Sequence, residues 1–138
     1  MRLAFSELGA GGEPILILHG LFGSSRNWAA IARKLSVTNR ILTLDLPNHG
    51  ASSWTDFVSY ESLSQIISEF MVENDLKGAT VLGHSMGGKI AMTIALTEPE
   101  LIGRLIIADI APVKYNHDNL SIIVALESIN LSSVTSRS

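Results

Sequence analysis

The chain of 138 residues has room for one small domain, and its 46% hydrophobic against 17% charged side chains suits a sheet covered on both faces. A formal net charge of −3, with no run of Lys or Arg, leaves no basic footprint for nucleic acid. Cysteine is absent, which excludes disulfides, Cys-based zinc sites and a thiol nucleophile.

The N-terminal MRLAFSELGAGGE has no charged region followed by a long apolar stretch, and no apolar run is long enough to span a bilayer. A cytoplasmic protein without membrane association is the expectation. Residues 2–8 alternate weakly, as an edge strand does, and GAGGEP (9–14) is a turn. PILILH (14–19) is a short apolar run of the kind that forms a buried strand. Ser24 or Ser25 caps a helix in which Trp28, Ile31, Ala32 and Leu35 share a stripe. RILTLD (40–45) is the next strand, and 46–59 is a loop rich in turn formers. From Tyr60 to Leu76 the positions Leu63, Ile66, Ile67 and Phe70 line one helical face. ATVLGH (79–84) is a third buried strand. Met86 to Glu98 is apolar nearly all round, which predicts a buried helix ended by Pro99. RLIIAD (104–109) is a fourth buried strand, and Asp118 or Asn119 starts a last helix through Ile122, Ile123 and Leu126. Strands alternating with helices predict an α/β fold: a mostly parallel sheet with helices on both faces.

Two catalytic motifs overlap in VLGHSMGGKIA (81–91). Gly83 to Lys89 reads G-x-x-x-x-G-K, most of a P-loop, and RLIIAD ends in Asp109 as a Walker B strand does. A P-loop needs Ser or Thr after its Lys to ligate Mg²⁺, and Ile90 stands there. Gly83-His84-Ser85-Met86-Gly87 reads G-x-S-x-G, a nucleophile elbow. At such a turn Ser85 is strained and exposed, and side chains at Gly83 and Gly87 would collide with passing backbone. The helix beginning at Met86 turns its first N–H groups toward an oxygen that becomes anionic. An oxyanion hole takes one N–H from the residue after the nucleophile and one from an earlier strand–helix loop. Met86 and Leu21, which follows His19-Gly20, occupy those places.

LHGLFGSSRNW (18–28), LDLPNHGASS (44–53), VLGHSMGGKIA (81–91) and IADIAPVKY (107–115) together resemble the α/β-hydrolase fold superfamily, most closely its YbfF-like esterase subgroup with mitochondrial relatives. The resemblance covers the front half of the family's pattern. It implies a serine hydrolase acting on small-molecule carboxylic esters or thioesters of small to medium acyl groups, with no cofactor and no metal. Ser85 matches the nucleophile, Leu21 and Met86 the oxyanion-hole backbone, and Asp109 the triad acid of this subgroup. Pro47 departs from the pattern, since relatives often carry Arg there.

In this fold the triad runs Ser, acid, His, with the His near the C-terminus. Four histidines are available. His84 precedes Ser85 on a strand and so points away from its hydroxyl. His19 and His49 belong to the HG and NHG loops, which they brace, and His117 falls in a cap segment. The chain is therefore expected to be C-terminally incomplete. Residues 1–138 read as the N-terminal part of a hydrolase domain, with its core at about 1–112 and the start of a cap at about 113–138. Activity is expected to be impaired for want of the base, since losing one triad member costs roughly 10⁴–10⁶ in kcat in subtilisin. Two readings compete with the enzyme: an inactive fragment or ligand- or partner-binding module of the same fold, and a P-loop nucleotide binder.

Overall fold

The computed structural model describes residues 1–115 and 120–133. In chain order these form β1 (Phe5–Leu8), β2 (Pro14–Leu18), a 3-10 turn (Ser25–Trp28), α1 (Ala29–Leu35), β3 (Arg40–Leu44), α2 (Tyr60–Glu73), β4 (Ala79–His84), α3 (Met86–Thr97), β5 (Ile102–Ala108) and α4 (Leu120–Glu127). One sheet runs in the order β1-β3-β2-β4-β5, antiparallel only between β1 and β3. The chain steps from β2 to β3 through α1, then crosses back over β2 to β4 through α2. Right-handed crossovers in opposite directions put their helices on opposite faces.

Side-chain alternation along the strands agrees with that placement. Leu16 and Leu18 of β2 join Leu42, Leu44 and Val81 in a core with Ile67 and Met71 of α2 and Ile90 and Ile94 of α3. Ile17 and Ile41 face the other way, onto Ala32 of α1, with Ile15, Trp28, Leu35 and Leu82 around them. Helix α2 starts where Ser59 accepts the Ser62 N–H at 3.1 Å and donates its own N–H to Ser62 Oγ at 2.9 Å, a reciprocal cap. The reversal of winding at β2 opens a crevice beyond the carboxyl ends of β2 and β4, the place where open α/β sheets hold their sites.

Several expectations need correction. Helix α3 is not buried all round, because Leu96 on the side away from the sheet is 84% exposed. Strand β5 is not a buried strand: it pairs only with β4 among the described residues, so Leu105 and Ile106 are exposed. The helix after Ser24 opens as a 3-10 turn, and Ile31 falls off its buried stripe. Helix α4 leaves its apolar residues Leu120, Ile122, Ile123, Val124 and Leu126 exposed. Residues 118 and 119, the expected start of that helix, lie outside the described residues. Among the described residues no helix is long and apolar enough to cross a membrane.

Candidate active site

Strand β4 ends at His84 and α3 begins at Met86, so Ser85 alone makes the turn. Its φ of 50° and ψ of −115° lie where a residue with a Cβ is strained. The Ser85 N–H donates to Ala108 O at 3.1 Å and its carbonyl accepts from Lys89 N–H at 3.1 Å, which holds the turn from both sides. A Cβ on Gly83 would lie 2.4 Å from Gly87 O, and one on Gly87 would lie 2.5 Å from Leu18 O. Both glycines are therefore required by close backbone approach. A turn of one residue leaves no loop to wrap a phosphate. Lys89 Nζ is also turned away to the Val113 carbonyl, 5.1 Å over the Tyr115 ring. The P-loop geometry is not formed.

Strain gathers around this turn. Phe22, Asn48, Ser85 and Asp109 all have positive φ, and they follow the carboxyl ends of β2, β3, β4 and β5. Strain of this kind persists only where the surroundings over-determine it, and it concentrates at functional sites.

A cleft of about 540 Å³ opens in front of Ser85, with Leu21, Phe22, Tyr60 and Met86 in its walls and the Ile110–Tyr115 segment across it. Gly87 N–H donates to His19 O at 3.2 Å, which seats the start of α3 against the end of β2 and brings Leu21 and Met86 to the same cleft. Neither the Leu21 nor the Met86 N–H is taken up by a hydrogen bond among the described residues. They are two backbone donors beside one strained hydroxyl.

Asp109 lies one residue beyond β5, next to the elbow, because Ala108 pairs with His84 across the sheet. Its carboxylate is 90% exposed and comes within 3.8 Å of His84 Nε2. The His84 ring leans edge-on toward Trp28, 6.2 Å between centroids. Among the described residues no histidine is hydrogen-bonded to the Ser85 hydroxyl, and His117 lies outside them. Nor do His, Asp or Glu side chains among the described residues group as metal ligands would.

The site has a scaffold that the motifs did not reveal. Asp45, at the end of β3, accepts the Ser25 N–H at 2.7 Å and the Ala51 N–H at 2.9 Å. It thereby ties the HG loop to the NHG loop. Burial pushes the Asp45 carboxyl up, but the bonds from Ala51 and Ser25 and the nearby His19 outweigh it and leave it below the usual range. Gly50 must lack a side chain, since a Cβ there would lie 2.1 Å from Asp45 Oδ2. His19 Nδ1 donates to Gly20 O at 2.8 Å while its Nε2 accepts the Leu46 N–H at 3.0 Å. Burial holds that ring below its ordinary pKa. His49 Nδ1 donates to Pro47 O at 2.9 Å, and its Nε2 accepts the Phe22 N–H at 3.2 Å. The two histidines do bracket the HG and NHG loops.

A second concavity, about 610 Å³, lies between α2 and α3 and is lined by Glu61, Glu69, Glu73 and Glu98. Ser64, Ser68, Thr93 and Thr97 line it as well, and no residue of the elbow does.

Known proteins extend this picture. A family model described as the alpha/beta hydrolase fold matches residues 13–133. The sn-1-specific diacylglycerol lipase ABHD11 of Xenopus laevis is 44% identical over 103 residues, covering 73% of this chain and 33% of its own length. Esterase YbfF of Escherichia coli is 36% identical over 111 residues, covering 78% of this chain and 44% of its own. The solved structure of a marine microorganism esterase superposes with a TM-score of 0.90 at 41% identity, over 98% of this chain and 54% of that one. The chain thus spans about a third to a half of the length of these relatives. With the family model matching residues 13–133 and the esterase superposing over 98% of the chain, the chain belongs to the alpha/beta hydrolase fold family.

Proposed function

We propose that this chain carries the nucleophile half of a serine hydrolase acting on carboxylic ester or thioester bonds of small to medium acyl groups. The observation that carries the reading is Ser85, held at φ 50° at the mouth of a cleft beside two unclaimed backbone N–H groups. The Ser85 hydroxyl attacks the acyl carbonyl, and the Leu21 and Met86 N–H groups stabilise the developing oxyanion. The alcohol or thiol leaves, an acyl-enzyme remains on Ser85 Oγ, and water releases the acid. Asp109 serves as the acid that orients a histidine base. That histidine is not among the described residues, and the relatives extend well past the matched portion. Residues up to about 112 are the core, and the segment with α4 begins a cap over the cleft.

With no histidine at the Ser85 hydroxyl among the described residues, the 138-residue chain is expected to be a slow catalyst. Hydrolysis of p-nitrophenyl acetate and butyrate by the chain is expected to exceed that of its Ser85→Ala variant only slightly. Rates of full enzymes from the chain alone would overturn the missing-base reading. Equal rates for chain and variant, together with no acyl adduct on Ser85 by mass spectrometry, would overturn the nucleophile assignment. The edge of β5, unpaired among the described residues, and the exposed apolar residues of α4 favour a second reading, a partner-binding module of the same fold. A stoichiometric complex in native mass spectrometry, with no acyl adduct, would support it.

A further inference from the structure

Two imidazoles stand behind the candidate oxyanion hole with centroids 5.1 Å apart, and neither is bonded to Ser85. Each commits both ring nitrogens to backbone. A carbonyl can only accept, so Nδ1 carries the proton in both rings and Nε2 is the acceptor.

One bond from each ring falls on one of the two peptide units that flank Leu21. The first unit contains the Gly20 carbonyl and the Leu21 N–H. The peptide bonds are trans, so this N–H points opposite its carbonyl. Gly20 O accepts from His19 Nδ1 at 2.8 Å and from Gly23 N–H at 3.0 Å. Anchoring that carbonyl sets the direction of the Leu21 N–H. The second unit contains the Phe22 N–H, which His49 Nε2 accepts at 3.2 Å. Phe22 has φ 61°, a conformation its side chain disfavours, so the loop needs an outside hold there. His49 provides that hold from 27 residues away, itself fixed through Nδ1 to Pro47 O.

We propose that His49, with His19 as the companion clamp, is a positioning residue that aims the Leu21 N–H at the oxygen developing on the substrate. The proposal rests on the serine-hydrolase reading of the cleft. The element that matters in His49 is its Nε2 lone pair. A phenyl ring, somewhat larger, fills the space without that lone pair and leaves the Phe22 N–H unheld.

The test compares His49→Phe, which removes the acceptor, with His49→Gln, whose side-chain oxygen restores one. Two readouts apply to the 138-residue chain: amide resonances and hydrogen exchange at Leu21 and Phe22, and the second-order rate at which a fluorophosphonate probe labels Ser85. Removing a whole oxyanion-hole donor costs roughly 10²–10³ in rate, and a misaimed donor loses part of that, so His49→Phe is expected to slow labelling by about tenfold or more. It also shifts both amides and speeds Phe22 exchange. His49→Gln recovers most of the rate and the protection. Melting temperatures measured in parallel separate loss of aim from loss of fold, and His49→Ala gives the same comparison without added bulk should His49→Phe not fold. Labelling of His49→Phe at the unmodified rate, or His49→Gln as slow as His49→Phe, overturns the proposal. If the unmodified chain takes no probe at Ser85, the hydrolase reading itself fails. The amides then decide alone, and unmoved Leu21 and Phe22 resonances in His49→Phe overturn the clamp.

Discussion

Replacing Gly87 by Ala puts a methyl group where three backbone atoms at the carboxyl end of β2 already stand. The new Cβ would lie 2.5 Å from Leu18 O, 2.6 Å from His19 O and 2.7 Å from Leu18 C. Those separations are about 1 Å inside van der Waals contact, and the atoms belong to the central strand rather than to a side chain that can rotate away. Helix α3 must lift from the sheet. Overpacking of this kind costs about 1–3 kcal/mol. Lifting the helix also stretches the Gly87 N–H bond to His19 O, now 3.2 Å, which is worth about 1 kcal/mol. Alanine returns up to about 1 kcal/mol through its better helix propensity. The net loss is about 1–3 kcal/mol, or a fall in Tm of roughly 3–15 °C for a chain of this size. Urea and thermal unfolding followed by circular dichroism measure it, with Gly11→Ala as control because a Cβ there meets nothing within 4 Å. Gly87→Ala melting at or above the unmodified chain would refute the close approach of α3 to β2, and the elbow with it.

The scaffold makes further predictions. Asp45→Ala leaves the Ser25 and Ala51 N–H groups without their acceptor and is expected to destabilise the fold by about 2–4 kcal/mol, read by urea unfolding. Asp45→Ala unfolding at the same urea concentration would dismiss the tie between the loops. Burial holds folded His19 below 6.5, so the unfolded chain binds a proton that the folded chain does not. Stability is then full above about pH 6.5 and falls as pH drops below it toward the folded value. Tm should decline from pH 7.5 to 5, less steeply in His19→Gln, and a Tm that rises on acidification contradicts the assignment. Lys89→Met removes the strap onto the Val113 carbonyl and the Tyr115 ring. Trypsin should then cut after Lys114 several-fold faster, and unchanged cleavage would mean that the strap does not hold the segment.

The elements and the elbow were legible because their signals are local. The short apolar runs PILIL and ATVLGH, the glycines at 83 and 87, and the single Ser between strand and helix each lie within a few residues. The scaffold was not legible because it is made by distant residues. Asp45 meets Ser25, and His49 meets Phe22, only after β2 and β3 have paired. Positive φ at Phe22 is likewise imposed by tertiary surroundings, since an aromatic residue does not favour it. Lys89 carried a misleading signal, because a lysine after two glycines suits a phosphate loop as well as a strap. Apolar content misjudged β5, whose exposure depends on which neighbours are present rather than on its own composition.

Adduct mapping after prolonged exposure to a fluorophosphonate tests the central claim most directly. The chain and its Ser85→Ala variant would be labelled, digested and sequenced by mass spectrometry. Slow labelling confined to Ser85, and lost in Ser85→Ala, is the result predicted for a nucleophile seated in its elbow with no histidine at its hydroxyl among the described residues. No adduct, or an adduct equally distributed over other serines and kept in Ser85→Ala, would contradict it.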